Sequence, residues 1–324
     1  MRRTPYELTA CPVCGSKQSR EIADHDAIQR ERERLWEFHD RRLLDGIPPE
    51  RLMDRVTFSQ EAPLRLVRCT VCAHVYRNPI EREEALLADY RSDGPSDTVL
   101  RKLFDTQRET YAAQVQRLER VAGESGRGLE VGSYAGGFLA AARDAGWDFE
   151  GADISARAAA FAEQNGLVVT FGGIADVVAP RAFDAIAIWN TFEQLYDSRA
   201  AVAAARNLLR TGGIFVVRVP NAHFYERWRA RLDGPLAGLA ERLLAHNNLL
   251  AFPYRQGFSR QSLGRLLSEH GFEIVRIFGD TLAPISDEWT TVLGRTEERI
   301  VKRAERLLQH GWHAPWVEVY ARAA

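Results

Sequence analysis

Residues 129–139 read LEVGSYAGGFL. Leu129–Val131 forms a short apolar run interrupted only by Glu130, and glycines follow at 132, 136 and 137. A strand that passes through glycine into a helix is the local form a nucleotide-type loop requires. Glycine takes the left-handed turn and lets the helix start lie close to a ligand. Gly132 supplies the turn at the strand end, and Gly136 or Gly137 supplies the close approach.

Outward from this turn the chain alternates. Strands are expected at 128–132, 148–154, 167–171, 183–190, 214–221, 272–279 and 316–323, with helices at 136–145, 155–166, 198–213, 259–271 and 296–311 between them. This alternation predicts an α/β fold with a parallel sheet covered by helices on both faces. Asp153 stands at the end of the second strand, 17 residues after Gly136. A carboxylate there can accept both hydrogen bonds of a ribose diol, or it can cap the helix that starts near Ser155. Glu130 is a charge where an apolar residue would pack better. Either an ammonium partner or neighbouring backbone amides would explain it.

The N-terminal part reads differently. The four cysteines are Cys11, Cys14, Cys69 and Cys72, two Cys-x-x-Cys pairs separated by 54 residues. Four thiolates on two turns suit a closed, tetrahedral, structural Zn²⁺ site. The gap exceeds the usual spacing of roughly 15–20, which a charge-dense helix at 24–44 explains as an insertion. That helix reads as solvated, despite Ile28, Leu35 and Phe38 at helical intervals. A redox dithiol and unpaired buried cysteines are the competing readings, and the strand–helix context of redox motifs is missing. His74 reads as a bystander. Short strands are expected at 55–58 and 64–69, and helices at 81–90 and 97–121.

Four stretches in order, LEVGSYAGGFL, GADIS (151–155), RAFDAIAIWNTFEQL (181–195) and LLRTGGIFVVRVPN (208–221), resemble the successive motifs of class I S-adenosylmethionine-dependent methyltransferases. The resemblance covers about 125–280, or extends to 323 with the last strand. The cysteine head followed by VYRNP is similar to the zinc-binding segment of some bacterial members, sugar C-methyltransferases among them. The resemblance implies a Rossmann-like, mostly parallel methyltransferase sheet with its last strand antiparallel. It further implies that Glu130, Gly132, Tyr134 and Gly136 line the methionine and ribose side of S-adenosylmethionine. Asp153 would bind the ribose hydroxyls and Ile154 would cover the adenine. Gly173 and Ile174 would meet the adenine edge, and Asn190 would lie near the sulfonium. Tyr134 departs from the middle glycine most members carry, Gln194 from a frequent His, and Ala73 from the Gly often found after the second cysteine pair.

The resulting organisation is a four-cysteine zinc unit with a helical insertion over 1–80, a helical linker or cap over 81–124, and a cofactor-binding domain over 125–324 with an insertion at 222–256. Methyl transfer is an in-line displacement in which alignment supplies much of the rate. Where the acceptor must lose a proton, His223, Glu193 and Tyr225 are the candidates. The acceptor is expected to approach from the side of His223 and Tyr254.

Net charge is −1, and residues 1–121 carry 21 basic and 21 acidic side chains. That balance weighs against nucleic acid, whose phosphates call for a basic face, and favours a small-molecule acceptor such as a sugar or secondary metabolite. An RNA methyltransferase and a non-catalytic cofactor-binding module are the alternatives. A nicotinamide oxidoreductase is disfavoured because the loop lacks GxGxxG. No apolar run approaches the ~18–20 residues of a membrane span, and no apolar core follows the first arginines. A cytoplasmic protein with no membrane partner is expected, of undetermined oligomeric state.

Overall fold

Each strand-and-helix alternation expected from Arg127 onward is present in the computed structural model, which describes residues 5–47, 63–85, 96–282, 289–308 and 310–324, except that residues 209–213, expected to end a helix, begin the strand Leu209–Pro220. In chain order the elements are β1 (Tyr6–Glu7), β2 (Ser19–Ala23), α1 (His25–Asp40), β3 (Leu66–Cys69), β4 (Val75–Arg77), β5 (Ile80–Glu81), α2 (Asp97–Ala122), β6 (Arg127–Val131), α3 (Gly137–Asp144), β7 (Asp148–Asp153) and α4 (Ala156–Gln164). They continue with β8 (Val169–Phe171), β9 (Phe183–Trp189), α5 (Ser198–Leu208), β10 (Leu209–Pro220), α6 (Ala222–Arg229), α7 (Ala237–Ala245), β11 (Gln256–Gly257), α8 (Arg260–Glu269), β12 (Phe272–Asp280), α9 (Val292–Leu308) and β13 (Trp316–Ala323). The strand expected at 55–58 and the second half of the helix expected at 81–90 lie outside the described residues.

The chain divides into two compact units that do not follow chain order. One comprises Met1–Glu81, Val219–Leu263 and Phe278–Glu318, and the other Arg82–Arg218, Gly264–Ile277 and Val319–Ala324. Thus the segment 222–256, read as an insertion into the cofactor domain, belongs with the cysteine-bearing N-terminal residues. The reason is visible in α1. Its stripe of Ile28, Leu35 and Phe38 is fully buried, in one cluster with Phe224, Tyr225, Leu243, Leu244, Phe252 and Trp316. The expectation of a solvated helix is therefore corrected. Most charges of α1, with Glu31 the exception, lie away from the core, and its apolar stripe gains roughly 1.5–3 kcal/mol per large side chain buried. Buried Glu31 on the same helix accepts hydrogen bonds from Ala251 N (3.0 Å), the Tyr225 hydroxyl (3.2 Å) and Arg229 Nε (2.6 Å). A small antiparallel sheet of order β11-β4-β3-β2 carries the second cysteine pair in this unit.

The seven-stranded sheet has the order β12-β13-β10-β9-β6-β7-β8. Pairs β6–β7, β7–β8, β6–β9 and β9–β10 are parallel, and the last strand runs antiparallel. A parallel sheet covered on both faces needs near-continuous apolar strands, which AIAIW in β9 and IFVV in β10 supply. The chain winds one way through β6, β7 and β8, and the other way through β9 and β10. The strand order therefore reverses between β6 and β9, the topological switch point where such sheets bind ligands.

Candidate functional site

The carboxyl ends of β8, β7, β6 and β9 bring the expected cofactor residues together. Gly132 has φ +75° and donates its amide to Ala152 O at 2.8 Å. A Cβ at this position would strike the Thr191 side chain, so only glycine lets the β6 turn close against the residues leaving β9. Gly136, at φ +82°, begins α3. Tyr134 keeps the left-handed conformation, φ +46°, without being glycine. A non-glycine residue in this conformation costs roughly 1–2 kcal/mol.

Asp153 holds that loop. Its Oδ2 accepts the Tyr134 amide at 2.7 Å and its Oδ1 accepts the Ser155 amide at 2.8 Å. The α4 cap is Ser155 itself, whose hydroxyl accepts Ala158 N at 3.3 Å. The capping alternative for Asp153 is thus excluded. Each carboxylate oxygen retains a second acceptor site, so a ribose diol and the two amides do not compete. Gly172 N donates to Asp153 O at 2.8 Å, which brings the following turn alongside. There Gly173 N donates to Asp176 Oδ2 at 2.8 Å and Ile174 is buried, while Ile154 is half-buried.

Glu130 is 3% exposed, and its Oε2 has no hydrogen-bond partner among the described residues. Burial, and then the charge of Asp153, push its carboxyl well above the ordinary 4.5. Leaving such a group unpaired is destabilising. A ligand ammonium would relieve both the desolvation and the repulsion from Asp153, so these residues fit the amino-acid end of S-adenosylmethionine.

Asn190, at φ +54°, follows β9 and is bonded on three sides. Its Oδ1 accepts Arg218 Nη1 at 2.6 Å, its Nδ2 donates to the Tyr111 hydroxyl at 3.3 Å, and its carbonyl accepts Gln194 Nε2 at 2.7 Å. Gln194, which stands where many members carry His, therefore braces the backbone. Glu193 is fully buried, and neither of its carboxylate oxygens completes a hydrogen bond of standard geometry among the described residues. Burial pushes its pKa up to about 8, offset in part by its own amide, Gln194 and the Arg218 charge. Arg218 and Tyr111 escaped the sequence reading. A charge inside the apolar run IFVVRVP was the available signal for Arg218. Tyr111 offers none, as one aromatic among many in an amphipathic helix.

The other two acid/base candidates lie in the unit that holds the cysteines. His223 is exposed near the start of α6, its amide bonded to Asn221 Oδ1 at 3.1 Å. Tyr225 is fully buried and donates its hydroxyl to Glu31, and burial together with the Glu31 charge keeps its phenol protonated well above the ordinary 10. Tyr254 is also buried, its ring edge-on to Trp316 at 5.3 Å.

The four cysteine sulfurs lie within 4.8 Å of one another, with Cys11–Cys72 and Cys14–Cys69 at 3.6 Å. Sulfurs of a tetrahedral site with Zn–S near 2.3 Å stand roughly 3.8 Å apart, whereas a disulfide closes to about 2.05 Å. The two knuckles share one form. Gly15 N donates to Cys11 O and Ala73 N to Cys69 O, at 2.9 and 3.0 Å. Gly15 and Ala73 have φ +68° and +60°, so Ala73 adopts the conformation of the glycine it replaces. His74 is buried and bonded to Gln256 Oε1 at 3.0 Å.

A parallel sheet with a glycine turn and two acidic side chains at its switch point defines an α/β enzyme that binds a nucleotide-bearing cofactor. The family model described as a methyltransferase domain matches residues 104–277, more than half of the chain. The chain belongs to this family and is an S-adenosylmethionine-dependent methyltransferase. No curated protein sequence matches it. Among similar solved structures is an S-adenosylmethionine-dependent methyltransferase of Thermotoga maritima, a possible histamine N-methyltransferase, with 18% identity, TM-score 0.45, and 69% of this chain and 94% of that one covered. A second is geranyl diphosphate C-methyltransferase of Streptomyces coelicolor, with 15% identity, TM-score 0.46 and coverage of 75% and 88%. A third is a complex of the Haloferax volcanii Trm112 methyltransferase activator with a putative methyltransferase, at 17% identity, TM-score 0.48 and coverage of 75% and 99%. Among the described residues no helix is long and apolar enough to cross a membrane.

Proposed function

We propose that this enzyme methylates a small-molecule acceptor, and that Glu130, Gly132, Tyr134, Gly136, Asp153, Ile154, Gly173, Ile174 and Asn190 hold its cofactor. The observation that carries the reading is the buried Glu130 carboxyl, its Oε2 without a hydrogen-bond partner among the described residues, beside Asp153 at the β6/β9 switch point. Bound S-adenosylmethionine supplies an electrophilic methyl group. The chain's own residues bind and orient it: Glu130 takes the ammonium, Asp153 the ribose hydroxyls, and Asn190 lies at the sulfonium end. Glu193, buried and with its pKa near 8, takes the acceptor's proton on a carboxylate oxygen where the acceptor has one to lose. The balanced charge supports a small acceptor over a polynucleotide. The four cysteines hold a structural Zn²⁺, which their closed four-sulfur geometry suits.

Calorimetry tests the cofactor assignment. S-adenosylmethionine is expected to bind and NAD not, and Glu130→Gln is expected to weaken binding about tenfold or more. The same variant is expected to melt higher than the parent without ligand, because a buried charge is gone. Unchanged affinity in Glu130→Gln would reject the ammonium role. Turnover of a panel of sugars and metabolites, set against RNA retention at low salt, decides the acceptor class. Methylation of RNA alone would overturn the small-molecule reading.

A further inference from the structure

Asn190 is the one candidate cofactor residue whose side chain is fixed by two others that the cofactor assignment does not use. Arg218 can only donate hydrogen bonds. Its Nη1 therefore selects Oδ1 of the Asn190 amide, at 2.6 Å, and turns Nδ2 away toward Tyr111. Nδ2 also only donates, so the Tyr111 oxygen accepts it at 3.3 Å and the phenolic proton points away from Asn190. The order of donors along Arg218–Asn190–Tyr111 is thus set from the guanidinium outward. Gln194 fixes the same residue from its backbone side, at 2.7 Å. These bonds hold Asn190 in a left-handed conformation, φ +54°, which asparagine tolerates better than most residues with a side chain.

Each end of the relay is anchored. Arg218 is 5% exposed on β10, and Tyr111 packs edge-on to Phe138 of α3 at 5.6 Å. Phe138 stands two residues past Gly136, and Thr191, next to Asn190, is the residue a Cβ on Gly132 would strike. The relay therefore ends against the helix that follows the glycine turn, and its middle residue follows β9, one side of the switch point.

We propose that Arg218 is a positioning residue of this methyltransferase, acting through Asn190, and that Tyr111 is a further cofactor-contacting residue whose hydroxyl Asn190 aims at the sulfonium end of bound S-adenosylmethionine. This rests on the cofactor reading given above. It assigns a role to α2, otherwise a linker before the first sheet strand: one helical side chain completes the site. It also explains why β10 carries a buried charge that packing alone would disfavour.

The test is a cycle of variants read by calorimetry with S-adenosylmethionine and with S-adenosylhomocysteine, alongside melting temperature. Arg218→Met, Asn190→Ala and Tyr111→Phe are each expected to weaken S-adenosylmethionine about tenfold, and S-adenosylhomocysteine, which lacks the sulfonium charge, distinctly less. Arg218→Met combined with Asn190→Ala is expected to lose no more than either alone, since both break one relay. Tyr111 is half-buried, so Tyr111→Phe is expected to fold even where Arg218→Met does not. Losses that multiply in the double variant, or variants that melt lower while binding both ligands like the parent, would overturn the proposal. Failure of the parent protein to bind S-adenosylmethionine would instead overturn the cofactor reading on which it stands. Binding that is lost in Asp153→Asn but intact in Tyr111→Phe would remove Tyr111 alone from the site.

Discussion

The carboxylate of Asp153 accepts the backbone amide of Tyr134 at 2.7 Å. The end of β7 is therefore tied directly to the glycine turn after β6, and one side chain both shapes the loop and is proposed to bind the cofactor. Its second oxygen does the same for Ser155, at 2.8 Å.

Removing this carboxylate is expected to affect binding and fold together. In Asp153→Asn one oxygen becomes a donor and opposes an amide N–H. S-adenosylmethionine affinity should fall about ten- to a hundredfold, since charge-assisted bonds are worth roughly 1.5–3 kcal/mol. The melting temperature should fall by about 2–6 °C. Calorimetry and a thermal scan on the same preparation check both. Loss of affinity without any loss of stability would mean that the loop does not depend on Asp153.

Glu193 makes stability depend on pH. Its folded pKa, about 8, lies above the ordinary 4.5 of the unfolded chain. Below 4.5 the carboxyl is protonated in both states and carries no penalty. As pH rises from 4.5 to about 8 the unfolded state loses its proton first, so stability falls, and it levels off above 8. Glu193→Gln should therefore melt with the parent at about pH 4 and above it at about pH 9. If Glu193 is the base, parent turnover should climb through about pH 8 and the variant should lose that limb. A variant that melts below the parent at the alkaline end would refute the buried carboxylate with its raised pKa.

Metal analysis of purified protein should return about one zinc per chain. Chelation, or Cys72→Ser, should lower the melting temperature and expose the remaining thiols to a thiol reagent. Metal-free protein that stays folded with four reactive thiols would reject the site.

Ala73 carries a strain that its counterpart Gly15 does not. Both residues are left-handed, and both donate to the carbonyl four residues back. Ala73→Gly is expected to stabilise the protein by about 0.5–1 kcal/mol, the relieved conformation outweighing the added freedom of the unfolded chain. Denaturant titration measures this, and a lower midpoint with an unchanged slope would contradict it.

The amino-acid sequence by itself determined the α/β class, the alternating order of strands and helices from Arg127 to Ala323 outside the segment 222–257, the left-handed glycine turn and the two cysteine pairs. These are local matters: hydrophobic period, glycine where the backbone turns, and closely spaced thiols are all written in contiguous residues. What only the tertiary structure decided depends on partners distant in the chain. The stripe on α1 is buried because Phe224, Leu244 and Trp316 come to cover it. The segment 222–256 joins the cysteine-bearing unit for the same reason. Tyr225 donates to Glu31, 194 residues earlier, and that bond is invisible in either local stretch. Asn190 owes its orientation to Arg218, 28 residues on, and to Tyr111, 79 residues before it. Hydrogen-bond partners and burial depend on which surfaces meet. A chain-local pattern specifies which face of a helix or strand is apolar, but it leaves open what that face will touch.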